Sequence, residues 1–226
     1  MQVFYNVCAM LKLVAIDFDG TISDSVGMVL ETYREAVSPY AGHILSDEEI
    51  SVGFGMTEAG MMQAIVPESW AEALDEFFGL FRKADLTPCE GIIELIRELR
   101  EMGIILAVIT GRGDEGVRIG LGRLDLLDSF DDILTGSDVK NNKDENLQRL
   151  MNKYSLDNDE IIYIGDAVSD VLACRKAEVR CLSAAWSHHV NKEMLYELNP
   201  GDVYESVADA REVIMGLIDP EQERRK

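Results

Sequence analysis

Two aspartates, Asp17 and Asp19, stand directly after a short apolar run, Leu13–Ile16. The run predicts a buried strand, and residues two apart at its end point to the same side. Two neighbouring carboxylates there repel each other and lose hydration, a cost that a bound hard cation or proton-transfer chemistry explains. Gly20 and Thr21 follow and predict a sharp turn that leaves both carboxylates facing an open crevice.

A second acidic pair, Asp166 and Asp170, follows another apolar run, Ile161–Ile164. The two aspartates are four residues apart, so they share a face if the segment enters a helix. Without a partner they would repel each other, whereas a divalent cation turns the repulsion into coordination. The alternative interpretation is that they complement the dipole at the start of a helix.

Two further positions carry groups that bind oxyanions. Thr110 and Gly111 follow the apolar run Ile104–Ile109 and offer a hydroxyl and a backbone N–H. Lys143 could offset charge between carboxylates and a phosphoryl group, with Lys140 as a nearby competitor for that role. Each signal has a plainer interpretation, because Thr-Gly turns are common after strands and surface lysines are usually solvated.

Short apolar runs separated by helical patterns predict the elements that position these residues. The runs are Leu13–Ile16, Ile104–Ile109, Ile133–Leu134, Ile161–Ile164 and Val179–Leu182. Their alternation with helices predicts an α/β fold, a Rossmann-like parallel sheet core covered by helices on both faces. In such a sheet the ligand crevice lies at the carboxyl ends of the strands, where all the candidate residues fall.

Residues 26–87 break this alternation, since they contain helical patterns but no convincing central strand. They predict an all-helical cap domain inserted into a core of residues 1–25 and 88–226. Ser25-Val26-Gly27 and Thr87-Pro88 are the hinges that composition favours. The helical patterns are Val29–Val37, Asp47–Val52, Thr57–Ile65 and Trp70–Phe81.

Composition narrows the classes of partner. The 226 residues include 47% hydrophobic and 28% charged side chains, which is ordinary for a globular protein, and they carry a formal net charge of −21. That charge argues against nucleic acid and against anionic membrane surfaces as partners. The scattered cysteines form no CxxC pair and indicate reduced thiols in a reducing compartment. Met1–Met10 lacks a basic region and a cleavage site, so we expect no signal peptide, no membrane span and a cytoplasmic protein.

In chain order these motifs resemble the haloacid dehalogenase-like hydrolase superfamily, in its helical-cap branch, with most likeness to the phosphoglycolate phosphatase-like members. The family pattern DxDGT matches Asp17–Thr21, and Thr110 with Gly111 matches the second motif. Lys143 matches the third motif, and the segment from Gly165 to Asp170 matches the fourth. The resemblance covers the chain from residue 11 to about residue 218.

The resemblance implies two different roles for the first acidic pair. Asp17 would be the nucleophile that forms an aspartyl-phosphate intermediate. Asp19 would protonate the leaving oxygen and then activate water. Dehalogenases of the family lack an acid at this second position, so Asp19 favours phosphate esters. One departure concerns the third motif, since Asp144 and Asn146 stand where the family commonly has prolines, which should loosen the loop beside Lys143.

The resemblance also implies a Mg²⁺ site and a phosphoryl site. Thr110, the Gly111 N–H and Lys143 would bind the phosphoryl oxygens. Asp170 would bind the metal directly or through water. The implied metal set is completed by Asp17, the backbone carbonyl of Asp19, and Asp166.

The expected function is Mg²⁺-dependent hydrolysis of a small phosphorylated metabolite by a monomer or homodimer. The alternatives are a phosphomutase of the same superfamily and a non-catalytic binding protein on this scaffold. The cap has no Lys or Arg between Arg34 and Arg82, which disfavours sugar bisphosphates and pyrophosphate unless Arg34 or Arg112 serves from the margin. In the segment 52–57, Phe54 or Met56 could cover an apolar or ring-shaped group.

Overall fold

A computed structural model describes residues 10–219, which contain one six-stranded parallel sheet. Its order is β3-β2-β1-β4-β5-β6, so β1 lies between β2 and β4. Ile16 pairs with both Val108 and Ile164, and the segments that follow these strands therefore leave the sheet side by side. The strands are β1 (Leu13–Ile16), β2 (Ile105–Ile109), β3 (Asp132–Leu134), β4 (Ile161–Gly165), β5 (Arg180–Ala184) and β6 (Val203–Tyr204).

Ten α-helices accompany the sheet within residues 10–219. With the parallel sheet and the helical insertion after β1, they confirm the predicted α/β fold class. The helices are α1 (Val26–Ala41), α2 (Asp47–Ser51), α3 (Glu58–Ile65), α4 (Trp70–Phe81), α5 (Ile92–Glu101), α6 (Asp114–Arg123), α7 (Lys143–Tyr154), α8 (Val168–Ala177), α9 (Lys192–Leu198) and α10 (Val207–Ile218).

The central strand β1 explains why its sequence is apolar without interruption. Val14 and Ile16 face one apolar cluster, which α5, α6 and α10 complete. Leu13 and Ala15 face a second cluster, which α7, α8 and α9 complete. Because alternate residues of a strand point to opposite faces, a strand covered on both sides needs apolar residues at every position.

Helices α1–α4 form a third apolar cluster of their own. Its centre is Phe77, whose ring centroid lies 4.5 Å from that of Tyr33 and 5.7 Å from that of Phe81. The domain limits at residues 25/26 and 87/88 stay a prediction. Of the expected first hinge, Val26 and Gly27 belong to the opening turn of α1.

Three elements differ from the sequence-based expectation. Helix α1 continues through Pro39 to Ala41. Gly42 follows as a left-handed cap, with a φ of 76° and an N–H that donates to the Ser38 carbonyl. Strand β6 was not predicted, because its two residues are too few to show periodicity. Helix α7 begins at Lys143 itself, so Asp144 and Asn146 lie in a helix and not in the loosened loop that was expected beside Lys143.

The described residues bear on only part of the expectations of reduced cysteines, no signal peptide and no membrane span. Cys89, Cys174 and Cys181 are buried and unpaired by disulfides. The expectations for Cys8 and for residues 1–9 lie outside the described part of the chain. From residue 10 to residue 219, no helix combines the length and the apolar character that crossing a bilayer requires.

Candidate active site

Three carboxylates meet where β1 and β4 end. Asp17, Asp166 and Asp170 each offer an oxygen, and these oxygens lie within 4.8 Å of one another. Gly20 makes this approach possible, because a Cβ at this position would lie 2.0 Å from Asp166 Oδ2. Its φ of +72° also favours glycine. Clustered carboxylate oxygens are the hard donors that Mg²⁺ prefers, so the residues fit a divalent cation.

Lys143 joins this cluster from the start of α7. Its Nζ donates to Asp17 Oδ2 at 2.5 Å and to Asp170 Oδ1 at 2.6 Å, and all three side chains are buried. Burial opposes the charged form of Lys143, but the two aspartates outweigh it and raise its pKa. Three carboxylates and one ammonium leave a formal charge of −2, which a divalent cation would match.

Asp170, the acidic residue of α8, is held by several donors at once. Besides Lys143, Asp170 accepts from Tyr163 Oη at 3.1 Å and from the Ala167 N–H at 3.0 Å. Gly165 leaves room for it, because a Cβ there would lie 2.4 Å from Asp170 Oδ2. Asp170 is therefore fixed as the partner that orients Lys143, in addition to being a potential metal ligand.

Burial disfavours charge on Asp17 and Asp166. Burial raises the pKa of Asp17 to about 7; Lys143 lowers it, and Asp170 and Asp19 raise it. Burial, Asp17 and Asp170 together hold the pKa of Asp166 well above its ordinary value. An added cation would favour the ionised forms of these carboxylates. The raised pKa values and the positions of the oxygen donors therefore both fit a site for a divalent cation.

The predicted phosphoryl-binding turn follows β2, the other neighbour of β1 in the sheet. Thr110 is buried, and its Oγ1 accepts from the Arg112 N–H at 3.2 Å. Gly111 lies against the cap, because a Cβ at this position would be 3.0 Å from the Cα of Gly55. The turn therefore lies beside the first acidic pair and under the cap segment 52–57.

Asp19 has partners different from those of Asp17. Arg112 holds it with two bonds, from Nε to Oδ2 at 2.7 Å and from Nη2 to Oδ1 at 2.8 Å. Ser25 Oγ donates to the same carboxylate at 2.6 Å. The two aspartates of the first acidic pair therefore have different surroundings. Asp17 contacts the ammonium of Lys143, whereas Asp19 contacts the guanidinium of Arg112 and the hydroxyl of Ser25.

The sequence did not single out Glu58, and it predicted Arg112 only as a cation that could serve the substrate from the margin of the cap. Arg112 Nη1 donates to Glu58 Oε1 at 3.0 Å, and both side chains are buried. The Gly113 N–H donates to Glu58 Oε2 at 2.7 Å. In the sequence, Glu58 follows the helix-capping Thr57 and is typical of a dipole-complementing acid, so no signal distinguished it.

A cavity of about 400 Å³ opens above these residues, between the cap and the sheet. Its floor contains the first acidic pair, Thr110, Gly111 and Lys143. Its upper wall is formed mainly by apolar side chains of α1, α3 and the cap segment 52–57. These are Val26, Val29, Leu30, Tyr33, Phe54, Met56 and Met61.

Gly20 and Gly42 share a left-handed backbone conformation and differ in their surroundings, so they allow a controlled test of the acidic cluster. Both have a φ near +75°, but a Cβ at Gly42 meets nothing within 4 Å. We expect Gly42→Ala to cost about 1 kcal/mol from backbone strain and to leave phosphate release unchanged. Gly20→Ala should add a clash with Asp166 and lower phosphate release by about tenfold or more. Thermal unfolding and turnover of both variants check this; equal activity of the two would contradict it.

The parallel sheet, the helices inserted after β1 and the acidic crevice at the strand ends define a class of α/β proteins with a candidate metal site. A profile described as haloacid dehalogenase-like hydrolase matches residues 14–184. The chain belongs to this family, which confirms the resemblance carried by the four motifs.

Relatives with assigned names are similar over nearly the whole chain. Pyrophosphatase PpaX of Bacillus pumilus (strain SAFR-032) is 23% identical over 213 residues, covering 90% of this chain and 96% of that protein. Phosphoglycolate phosphatase of Vibrio parahaemolyticus serotype O3:K6 is 27% identical over 224 residues, covering 90% and 96%. The predicted enzyme class, a hydrolase of the phosphatase type, is confirmed by the family and these relatives.

Solved structures share the fold. CbbY from Rhodobacter sphaeroides, in complex with phosphate, has a TM-score of 0.72 and 16% identity, covering 88% of this chain and 96% of that one. A structure from Haemophilus somnus 129pt, described as a predicted phosphoglycolate phosphatase, has a TM-score of 0.76 and 17% identity, covering 91% and 99%.

Proposed function

We propose that this protein is a Mg²⁺-dependent phosphatase that hydrolyses a small phosphorylated metabolite through an aspartyl-phosphate on Asp17. The observation that carries the proposal is the division of the first acidic pair. Asp17 lies with Lys143 and the other clustered aspartates, whereas Asp19 lies with Arg112 and Ser25. Two carboxylates in different surroundings suit two different roles, nucleophile and acid/base.

Asp17 is the proposed nucleophile. Its Oδ1 accepts from the Phe18 N–H at 2.7 Å and its Oδ2 from Lys143, so the carboxylate has a fixed orientation. An oxygen of Asp17 would attack phosphorus, the bond to the leaving oxygen would break, and the phosphoryl group would remain on Asp17. Water would then attack the same phosphorus and release inorganic phosphate.

Asp19 is the proposed acid/base. In the first step it would give a proton to the leaving oxygen, and in the second it would take one from the attacking water. Its two bonds from Arg112 fix the plane of the carboxylate. The Ser25 hydroxyl adds a third donor to the same carboxylate.

Three groups would receive the phosphoryl oxygens and one site would hold the metal. The Thr110 hydroxyl, the Gly111 N–H and the Lys143 ammonium would neutralise charge on the transferring group. Asp17, Asp166 and the Asp19 carbonyl would hold Mg²⁺, with Asp170 bound directly or through water. When bound, Mg²⁺ supplies charge neutralisation for the phosphoryl group and for the carboxylates.

The alternative functions receive less support. A phosphomutase would retain the phosphoryl group by returning it to a second position of the substrate, which the cap must bind in two orientations. The cap segment between Arg34 and Arg82 has no Lys or Arg for this purpose. A non-catalytic binding protein would not need all four motif positions to be filled, as they are here.

The test of the function is a phosphate-release screen over a panel of phosphorylated metabolites, with and without Mg²⁺. We expect release to depend on Mg²⁺, to stop on addition of a chelator and to return on resupply of the metal. Asp19→Asn should keep the fold and slow turnover by about 10²- to 10⁴-fold, because only the proton transfer is lost. Metal binding without any phosphate release would instead support the non-catalytic alternative.

A further inference from the structure

We propose that the cavity above Asp19 takes an uncharged, largely apolar leaving group, and that Glu58 sets this selectivity by neutralising Arg112. The proposal rests on the proposed phosphatase function and names the class of phosphate monoester that the site accepts. It assigns to a cap residue, Glu58, a role in the choice of substrate.

Arg112 is the cation nearest to the place where the leaving group must lie, and it is already occupied. Three of its N–H groups donate to Asp19 and Glu58, and its guanidinium carbon lies 4.3 Å from the ring centroid of Phe81. Two carboxylates therefore face one guanidinium. Glu58 alone balances the charge of Arg112, so the formal charge beside the acid/base is 0 when Asp19 is protonated and −1 when it is ionised. A second anionic group on the substrate would therefore find no uncompensated positive charge here.

Glu58 is not free to move aside for such a group. The Gly113 N–H holds its second oxygen, and Gly116 leaves space for its carboxylate, because a Cβ there would lie 2.1 Å from Oε1. The helix that carries it is also tied to the core, since the Thr57 N–H donates to the Ser137 carbonyl at 3.2 Å and the Thr57 hydroxyl donates to Asp138. The carboxylate is thus a fixed part of the cavity.

The remaining walls favour apolar contact. Val29, Leu30 and Tyr33 of α1 face the cavity together with Met56 and Met61. The Tyr33 ring packs against Phe77 in the cap cluster and adds an aromatic surface to this wall. Such a surface contributes binding energy to a ring or an alkyl group and none to a carboxylate or a second phosphate.

Two other basic side chains line the cavity among the described residues, and neither is placed to receive the leaving group beside Asp19. Lys143 is occupied by Asp17 and Asp170. His189 stands at the entrance, against Gly27, where a Cβ would lie 2.4 Å from its ring. The relatives named for pyrophosphate and phosphoglycolate act, by those names, on acidic substrates. We expect this chain to differ from them by preferring an uncharged leaving group.

The test compares kcat/KM for phenyl phosphate with kcat/KM for phosphoglycolate and for pyrophosphate. We expect the wild type to favour phenyl phosphate by about tenfold or more. Glu58→Gln, which removes one negative charge and keeps the shape, should reduce that ratio by about tenfold, whatever its absolute activity. The matched control is Glu115→Gln on α6, whose exposed side chain pairs with Arg82 at the surface and should leave the ratio unchanged.

Three outcomes would overturn the inference. They are a wild type that hydrolyses either acidic substrate as well as phenyl phosphate, a Glu58→Gln variant with an unchanged ratio, and an activity on acidic substrates that His189→Asn abolishes. The wild-type ranking is informative even if Glu58→Gln fails to fold. Failure of the proposed function is a different result, namely no phosphate release from any member of the panel.

Discussion

Asp17→Asn is expected to lower phosphate release from para-nitrophenyl phosphate by about 10⁴-fold or more, because an amide oxygen cannot form the aspartyl-phosphate. The effect should be on kcat. Neither phosphoryl transfer to residue 17 nor hydrolysis of the intermediate can take place, since the intermediate never forms. The substitution also removes one carboxylate from the acidic cluster, so the affinity for Mg²⁺ should fall. Steady-state turnover and a metal titration measure the two effects separately.

The control for this variant is Asp114→Asn. Asp114 is an exposed aspartate in the first turn of α6 that pairs with Arg118, so it undergoes the same chemical change away from the crevice. We expect its turnover and metal affinity to equal those of the wild type. Wild-type turnover by Asp17→Asn would remove the basis of the covalent mechanism.

Lys143→Met is expected to lower both stability and turnover. The change leaves the buried Asp17 and Asp170 without their ammonium partner, which costs about 3 kcal/mol or more in the free energy of unfolding. It also removes a cation from the transferring phosphoryl group, which should lower kcat by about 10²-fold or more. Because Mg²⁺ would take over part of the charge compensation, the loss of stability should be smaller with Mg²⁺ than with a chelator.

Lys140→Met separates this effect from a general loss of positive charge. Lys140 lies in the same polar segment, but its exposed side chain pairs with Glu145 at the surface. We expect its unfolding temperature and turnover to be close to those of the wild type, since exposed ion pairs contribute little. A larger loss of activity in Lys140→Met than in Lys143→Met would reverse the assignment of the third motif.

The sheet and the first acidic pair were predictable because their signals are local. A strand buried on both faces must be apolar at every position, so β1 and β4 are visible as uninterrupted runs. The position of Asp17 and Asp166 at the ends of these strands then follows from the rule that parallel strands place their carboxyl ends together. The cap helices were visible for the same reason, since their apolar faces form a cluster of their own.

The partners of these residues were not predictable, because they come from distant parts of the chain. Lys143 is 126 residues from Asp17 and 27 from Asp170, and nothing near it in the sequence tells which carboxylates it meets. Glu58 is 54 residues from Arg112, and as an acid at a helix start it resembles many solvated ones. The division of the acidic pair into two environments therefore required the structure.

Trapping the covalent intermediate tests the proposed mechanism most directly. Asp19→Asn is mixed with substrate and Mg²⁺, quenched in acid during turnover, and measured by mass spectrometry of the intact chain and its peptides. We expect a mass increase of one phosphoryl group on the peptide that contains Asp17, and none when Asp17 is also replaced by asparagine. Phosphate release without any phosphorylated enzyme, or a phosphoryl group on another residue, would contradict the mechanism.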